Sequence, residues 1–505
     1  MGRKNPYHRI IFTLLLVGFS ALLNAQSDSI AYSSKFKFSK KEFTRSIVSS
    51  EDFLLTINQD NKPSEVQFSI YNKQTLALLN EFGWSKIGKD YINHEIKIAD
   101  YFDGQILLLS TSISADKKTR FLWLTSLAPN GIELKHLKLK ETGNNTKNST
   151  LTFELFKNPQ DSHVGVSMVL ECEREFFLDV FLLDLSLAII KEKEILLGNI
   201  KKVNYPHSFL LSDNGFLFFL NGLSEKKNAN HSKVGLENRL YQLYRYDPFN
   251  DKIKQYDVSI ADKFISDVKM KLGATGDLYI TGFYNESVYK GTQGVFLMVI
   301  DKDDGSISLS GKRALDEKVL SDFLTDKQIR RAKVIEDLYL DHLYIDDQGN
   351  ITLIAEVFFV EERLITSANS INITTSYYYN WGDILVLEMD KGLNYLAHET
   401  VRKKQKSTNY LSPHWGYSLI EKDDGKRSLL YNYLTNRKSG GVITASALSR
   451  AVTWYHPLFS LISREMDAPR QLSATPLFAP IWYGSYGILQ DKDDFSLFKI
   501  SSSNN

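Results

Sequence analysis

Ser208-Phe209-Leu210-Leu211-Ser212-Asp213-Asn214-Gly215-Phe216-Leu217-Phe218-Phe219-Leu220-Asn221-Gly222 decides the fold. It is an apolar run, a polar punctuation and a second apolar run, which describes a β-hairpin. Glycine reaches the positive φ of a tight turn without steric cost, and Asp and Asn bond the turn backbone with their own side chains. The flanking aromatic and aliphatic residues suit a pleated, half-buried surface. The same pattern recurs outward from this stretch. It occupies residues 268–282 around Thr275-Gly276-Asp277, 343–356 around Asp347-Gln348-Gly349-Asn350, 417–431 around Asp423-Asp424-Gly425, and 96–110 around Asp103-Gly104. Residues 151–170 and 487–500 are weaker copies without a turn glycine.

A second kind of hairpin, with a more polar last strand, follows each of the first kind. Residues 295–309 turn at Asp301-Lys302-Asp303-Asp304-Gly305, 121–139 at Pro129-Asn130-Gly131, 240–256 at Asp247-Pro248-Phe249-Asn250, and 383–396 at Asp390-Lys391-Gly392. Residues 176–195 and 441–455 also fit. Alternating antiparallel hairpins repeated in this way imply an all-β chain and a β-propeller of four-stranded blades. Seven hairpins of the first kind predict seven blades. The carboxyl-terminal hairpin would be completed by strands from residues 53–79, so that both termini share the last blade and no edge stays open. If residues 46–57 form a further hairpin of the first kind, eight blades result. No sustained helical stripe is present. Short helices are expected at 261–264 and 319–334, the charged stretch 320–332 being a surface excursion.

The stretch 272–307 resembles the repeat of secreted bacterial β-propellers of the SBBP type. The matching residues are Gly276-Asp277-Leu278-Tyr279-Ile280-Thr281-Gly282, then Gly294-Val295-Phe296, then Asp301 to Gly305. The copies at Asp213 and Asp347 match the first half of that repeat, and Trp381-Gly382-Asp383-Ile384 matches the second. The resemblance implies the fold and not an activity, because propellers host many functions.

Residues 1–25 have the parts of a secretory signal peptide. Arg3, Lys4 and Arg9 form a positive start, residues 10–23 an apolar run, and Ala25 a small residue before Gln26-Ser27-Asp28. The run is shorter than a membrane span. Cleavage would remove three basic residues and take the formal net charge from +1 to near −2. The expected layout is a signal at 1–25, a lead-in at 26–45, and one propeller over 46–505. The mature chain would carry no transmembrane span and would work in the periplasm, at the outer surface or outside the cell.

The rest of the 505-residue composition excludes more than it assigns. With 61 basic against 60 acidic residues, nothing favours nucleic acid as a partner. The single cysteine, Cys172, cannot form an internal disulfide, and no nucleophile motif surrounds it. Asp301 to Gly305 has alternating oxygen donors, but Lys312 stands where a calcium loop needs a bidentate Glu, so a hairpin turn explains it. No metal or cofactor is expected. His207, His414 and His456 stand without a partnering motif, and no catalytic residue can be assigned from 60 acidic residues. Lys403-Lys404-Gln405-Lys406 is read as a solvated strand end.

Aromatic clusters are the candidate binding residues. Tyr377, Tyr378, Tyr379 and Trp381 follow a hydroxyl- and Asn-rich stretch, 366–376, and His414-Trp415-Gly416-Tyr417 forms a second group. Flat rings with polar tips suit contacts to proteins or sugars. The expectation is an exported, non-enzymatic binding or scaffold propeller with a protein or glycan partner. The alternative is a propeller hydrolase or lyase acting on extracellular glycans or peptides, which would need ionisable groups converging in a closed pocket.

Overall fold

The computed structural model describes residues 29–32, 36–37, 43–49, 53–59, 65–85, 91–143, 152–160, 162–172, 175–199, 202–225, 240–261, 263–286, 291–331, 333–366, 373–408, 417–421, 427–436, 439–446, 456–457, 482–483, 486–491 and 494–501. The export signal at 1–25 lies outside the described residues, as do His414 and Trp415.

The described strands form eight antiparallel sheets. Seven take consecutive strands in meander order, over residues 43–85, 91–143, 152–199, 202–258, 264–314, 338–408 and 418–457. The eighth joins both ends of the chain. Ser29–Tyr32 lies against Asp494–Ser501, with Ser29 opposite Ser501, and Phe36–Lys37 continues along the same strand. Tyr486–Asp491 and Trp482–Tyr483 complete that sheet. The first strand of each sheet touches the first strand of the next from Phe43–Ser49 through to Leu338–Ile345. Ser418–Glu421 touches Trp482–Tyr483, which returns to Phe43–Ser49. Four-stranded sheets stacked in this manner are the β-propeller architecture.

Two expectations need correction. Residues 53–79 do not complete the carboxyl-terminal hairpin; Phe53–Gln59 and Glu65–Asn72 are the middle strands of their own sheet, and Ser29–Tyr32 supplies the terminal partner. That sheet begins with the hairpin Phe43–Ser49 and Phe53–Gln59, the pairing on which the eight-blade alternative depends. Residues 261, 263 and 264 are not helical either; Ile260 and Lys263 form an isolated bridge before the strand Phe264–Leu272. The charged insertion does form two helices, Glu317–Phe323 and Asp326–Arg331. It is anchored, because Val319 and Leu320 are buried in the apolar layer between the fifth and sixth sheets.

The core is a series of apolar layers between adjacent sheets. Leu55, Phe68, Ile106 and Leu108 join the first two sheets, and Leu109, Leu124, Val166 and Phe181 the next pair. Phe218, Leu243, Ile280 and Met298 join the fourth and fifth. Middle strands therefore bury both faces; Leu278–Asn285 and Gly294–Ile300 are buried throughout, while the outer strand Ile307–Ala314 is mostly exposed. This is why middle strands appear in the sequence as unbroken apolar runs.

The turns follow their chemistry. Asp103 and Gly104 both have positive φ, as a two-residue hairpin turn requires. Between the third and fourth strands of the first six sheets one residue is left-handed: Leu76, Gly131, Leu187, Asp251, Gly305 and Leu393 in turn. Three of these are leucines, whose backbone strain is offset by complete or near-complete burial of the side chain. At Asp390-Lys391-Gly392 the left-handed residue is Leu393, not the glycine. The Asp301 carboxylate is occupied by its own turn, accepting from Asp303 N at 2.8 Å and Asp304 N at 3.2 Å. Among the described residues no helix is long and apolar enough to cross a membrane.

Candidate functional site

The sixth sheet differs from the others in length. Its middle strands, Ile351–Thr366 and Ile373–Met389, pair from Ile351 opposite Met389 out to Thr366 opposite Ile373. The first strand, Leu338–Ile345, covers only the part up to Val357. Beyond it the two strands continue as an arm, joined on one side by Gln405–Thr408, whose Gln405 lies opposite Trp381 and Thr408 opposite Tyr378.

Strand geometry divides the aromatic cluster. Successive side chains point to opposite faces, so Tyr377, Tyr379 and Trp381 share one face and Tyr378 lies on the other. On the first face, Tyr379 is opposite Val360 and Tyr377 opposite Glu362. Leu364 is 68% exposed, Val360 46% and Tyr377 43%, so this face turns apolar side chains to solvent on either side of the exposed Glu362. At its root Trp381 is buried and packs on Phe358 at 5.2 Å between ring centroids, with Tyr339 behind. On the second face Tyr378 is held between two cations, Arg363 at 4.9 Å and Lys406 Nζ at 4.3 Å from the ring centroid. Glu361 ties them together, 2.7 Å from Arg363 Nη2 and 3.8 Å from Lys406 Nζ.

Beneath the arm lies a buried polar network. The basic run 403–406 is not a solvated strand end, which corrects the sequence expectation. It alternates: Lys403 and Gln405 are buried, while Lys404 and Lys406 are exposed. The Lys403 side chain is 0% exposed, and its Nζ donates to Glu356 Oε1 and, at 3.0 Å, to Gln405 Oε1. Lys403 N donates to Asp383 Oδ1 at 2.8 Å, and Arg402 pairs with Asp383 Oδ2 at 2.6 Å. Tyr417 comes from the start of the seventh sheet, with Lys403 Nζ 5.9 Å from its ring centroid and His342 5.7 Å away edge-on. Its phenol faces the Asp341 carboxylate, although neither the phenol oxygen nor Asp341 Oδ2 has a partner at hydrogen-bonding distance among the described residues.

Burial dominates the electrostatics of this network. It raises Glu356 to about 7 against the pull of Lys403, and Asp341 to about 6 against the Tyr417 phenol and Lys269. It lowers Lys403, opposed by Glu356, and raises Tyr417 well above the ordinary phenol value. His342 is lowered to about 4 by burial and by Lys269 and Lys271. The network therefore contains the ionisable groups that chemistry would use. Lys403 is engaged by Glu356 and Gln405, and through Gln405 it fixes the third strand of the arm. Neither of the two described cavities reaches it, one being lined by the 317–330 helices and the other by Thr111, Lys140 and their neighbours.

Of the other candidates, His207 lies on the first strand of the fourth sheet opposite Leu220, and His456 on the last strand of the seventh. Cys172 ends a strand, opposite Glu175 across a hairpin. Among the described residues no group of three or more His, Cys, Asp or Glu side chains could hold a metal. Sequence reasoning missed Lys403, Gln405, Glu356 and Asp341. Four polar residues in a row at 403–406 carried no sequence signal of their alternate burial.

No family model matches the chain. No curated protein matches it either. Among solved structures it is similar to the Dos1 propeller, with a TM-score of 0.44 and 9% identity over 93% of this chain and 95% of that one. An ulvan lyase of a polysaccharide lyase family gives 0.40 and 10% identity over 86% and 96%. The β-propeller domain of the Trilobed protease from Pyrococcus furiosus gives 0.35 and 11% identity over 84% and 99%. The architecture rests on the strand topology, not on these scores.

Proposed function

We propose that the protein is an exported, non-enzymatic binding or scaffold β-propeller that engages a protein partner through the Val360, Leu364 and Tyr377 face of the arm. The eight sheets are taken as eight blades of a closed ring, the last built from both ends of the chain; the contact between Trp482–Tyr483 and Phe43–Ser49 supports this. The basic-then-apolar start of residues 1–25 supports export beyond the inner membrane, and the repeat at 272–307 supports kinship with secreted propellers.

One observation carries the binding reading: an arm that contributes little to the ring presents exposed apolar side chains, and a buried ion pair holds it in place. Exposed apolar surface on a rigid element marks an interaction site. Two branched aliphatic residues beside one tyrosine favour an apolar protein surface over a sugar, whose hydroxyls need polar partners. A second reading, a hydrolase or lyase, draws on the convergence of Asp341, Glu356 and Lys403; the enclosure of Lys403 weighs against it.

Site-specific photo-cross-linking tests the binding reading. A photoreactive residue at Leu364 is expected to capture one defined protein from the envelope or secreted fraction. The same probe at Leu196, exposed on an outer strand of the third sheet, is expected to capture none. The capture should vanish in Val360→Ser/Tyr377→Ala. Equal capture at both positions, or none at Leu364, would remove the arm face as the site.

A further inference from the structure

The arm has an edge as well as a face. The strand Ile351–Thr366 is paired on both sides as far as Val357, by Leu338–Ile345 and by the far end of Ile373–Met389. Phe358 N still donates to Asp337 O at 2.9 Å. From 359 to 366 the strand is paired on one side only among the described residues. Half of its backbone N–H and C=O groups therefore point outward at the spacing of a strand. Such a row is complementary to one class of occupant, another extended backbone.

The residues on that edge identify the occupant. They read Phe359-Val360-Glu361-Glu362-Arg363-Leu364, and this order is complementary to itself in antiparallel register about Glu362. With Glu362 opposite its own copy, Glu361 falls opposite Arg363 of the second chain and Arg363 opposite its Glu361. Val360 falls opposite Leu364, and Leu364 opposite Val360. The faces also match, because directly opposed residues of antiparallel strands share a face of the sheet. Both apolar faces then lie on one side of the joined sheet, and both Arg363–Tyr378–Lys406 stacks on the other. A slip of one residue towards the amino end sets Glu361 against Glu362 twice and Val360 against Arg363 twice. Glu361 and Arg363 are only partly shielded in the single chain, with side chains 38% and 57% exposed, and are within reach of a partner.

We infer that this edge pairs with the same edge of a second copy of the chain, joining two three-stranded arms into one six-stranded sheet about a two-fold axis. The inference rests on the reading of the arm as the interaction element. It also enlarges that reading, since pairing places two copies of the Val360, Leu364 and Tyr377 face side by side. The repulsion between the two Glu362 carboxylates on the axis keeps the association reversible.

A charge-swap cycle tests it. Wild-type protein is expected to show a concentration-dependent monomer–dimer equilibrium in analytical ultracentrifugation. Glu361→Arg or Arg363→Glu alone turns two attractive cross-strand pairs into two repulsive ones and should weaken dimerisation roughly thirtyfold. The double variant restores both pairs and should return to within about threefold of the wild type. Register is read separately in a Cys172→Ser background. Glu362→Cys places two thiols opposite one another within disulfide reach, and mild oxidation should give a cross-linked dimer. Val360→Cys leaves its thiols about 13 Å apart along the strands and should not. A wild type that stays monomeric up to about 1 mM, a double variant no better than the singles, or equal cross-linking at 360 and 362 would overturn the inference. Loss of dimerisation with capture at Leu364 intact would reject the edge alone; dimerisation without capture would reject the face alone.

Discussion

Replacing Lys403 by Met removes the ammonium that faces Glu356 while keeping most of the side-chain volume. Lys403 is 0% exposed and Glu356 9%, so water cannot take the lost partner's place. Breaking one side of a buried pair costs about 3–5 kcal/mol. The size should depend on pH, and the sign follows from Glu356. Its carboxyl is raised to about 7 in the folded chain, against an ordinary value of 4.5. Between those values the folded chain holds a proton that the unfolded chain has released. That stabilising share is full below about 4.5 and is lost as pH rises through 7. Without Lys403 the two influences that lower the carboxyl disappear, and burial and the nearby Asp341 carboxylate, which both raise it, remain. Keeping it neutral then costs about 5 kcal/mol at pH 8, of which the wild type already bears about 3 kcal/mol, and less than about 1 kcal/mol at pH 5 in both chains. Urea unfolding followed by tryptophan fluorescence at both pH values measures this. Lys403→Met should lose about 1–2 kcal/mol more, relative to the wild type, at pH 8 than at pH 5. Lys403→Met/Glu356→Leu should recover most of the loss, because two apolar groups replace the pair. The residual, about 1 kcal/mol, belongs to Gln405, whose carbonyl loses its donor at 3.0 Å. A loss below about 1 kcal/mol at pH 8, an equal loss at both pH values, or a double variant no better than the single refutes the reasoning.

Other consequences can be checked in the same way. Asp341, raised to about 6 from 3.8 chiefly by burial, contributes stability that is full below about 3.8 and lost as pH rises through 6. Asp341→Asn should flatten the pH dependence of unfolding by up to about 3 kcal/mol across that window, and an unchanged slope would contradict it. Leu187 combines φ 56° with near-complete burial. Both Leu187→Ala and Leu187→Gly should lose about 2–5 kcal/mol of packing, but glycine should be the milder by about 1 kcal/mol, reversing the usual order; thermal melts that rank alanine higher would deny the strain. A Cβ at Gly282 would meet Asp267 O at 2.0 Å, whereas one at Gly143 would meet nothing within 4 Å. Gly282→Ala should therefore cost more than about 3 kcal/mol or prevent folding, while Gly143→Ala stays within about 0.5 kcal/mol of the wild type in denaturant titrations.

The strand and turn repeat was legible because its cause is local. Gly104, Gly215, Gly276 and Gly349 all take the positive φ that their place in an acidic-glycine turn implies. Where leucine takes the same conformation, at residues 76, 187 and 393, no sequence signal exists, because tertiary burial supplies the compensation. The partner of the carboxyl-terminal hairpin was misassigned for a related reason: pairing between chain ends depends on ring closure, and Ser29–Tyr32 is too short to stand out. The aromatic cluster at 377–381 was visible, but its division between two faces depended on knowing that it is a strand. The buried state of Lys403 was hidden by its three polar neighbours, since four polar residues in a row usually mark a solvated segment.

Excising the arm tests the central claim most directly. Replacing residues 359–380 by Asn-Gly joins the opposed pair Phe358 and Trp381 through a two-residue hairpin and leaves every other strand pairing of the sixth sheet, except that of Gln405–Thr408, in place. If the ring is self-sufficient and the arm is its interaction element, the shortened chain should melt in one cooperative transition close to the wild-type temperature. It should neither dimerise nor bind the partner captured at Leu364. A shortened chain that keeps partner binding, or that no longer folds, would contradict the account.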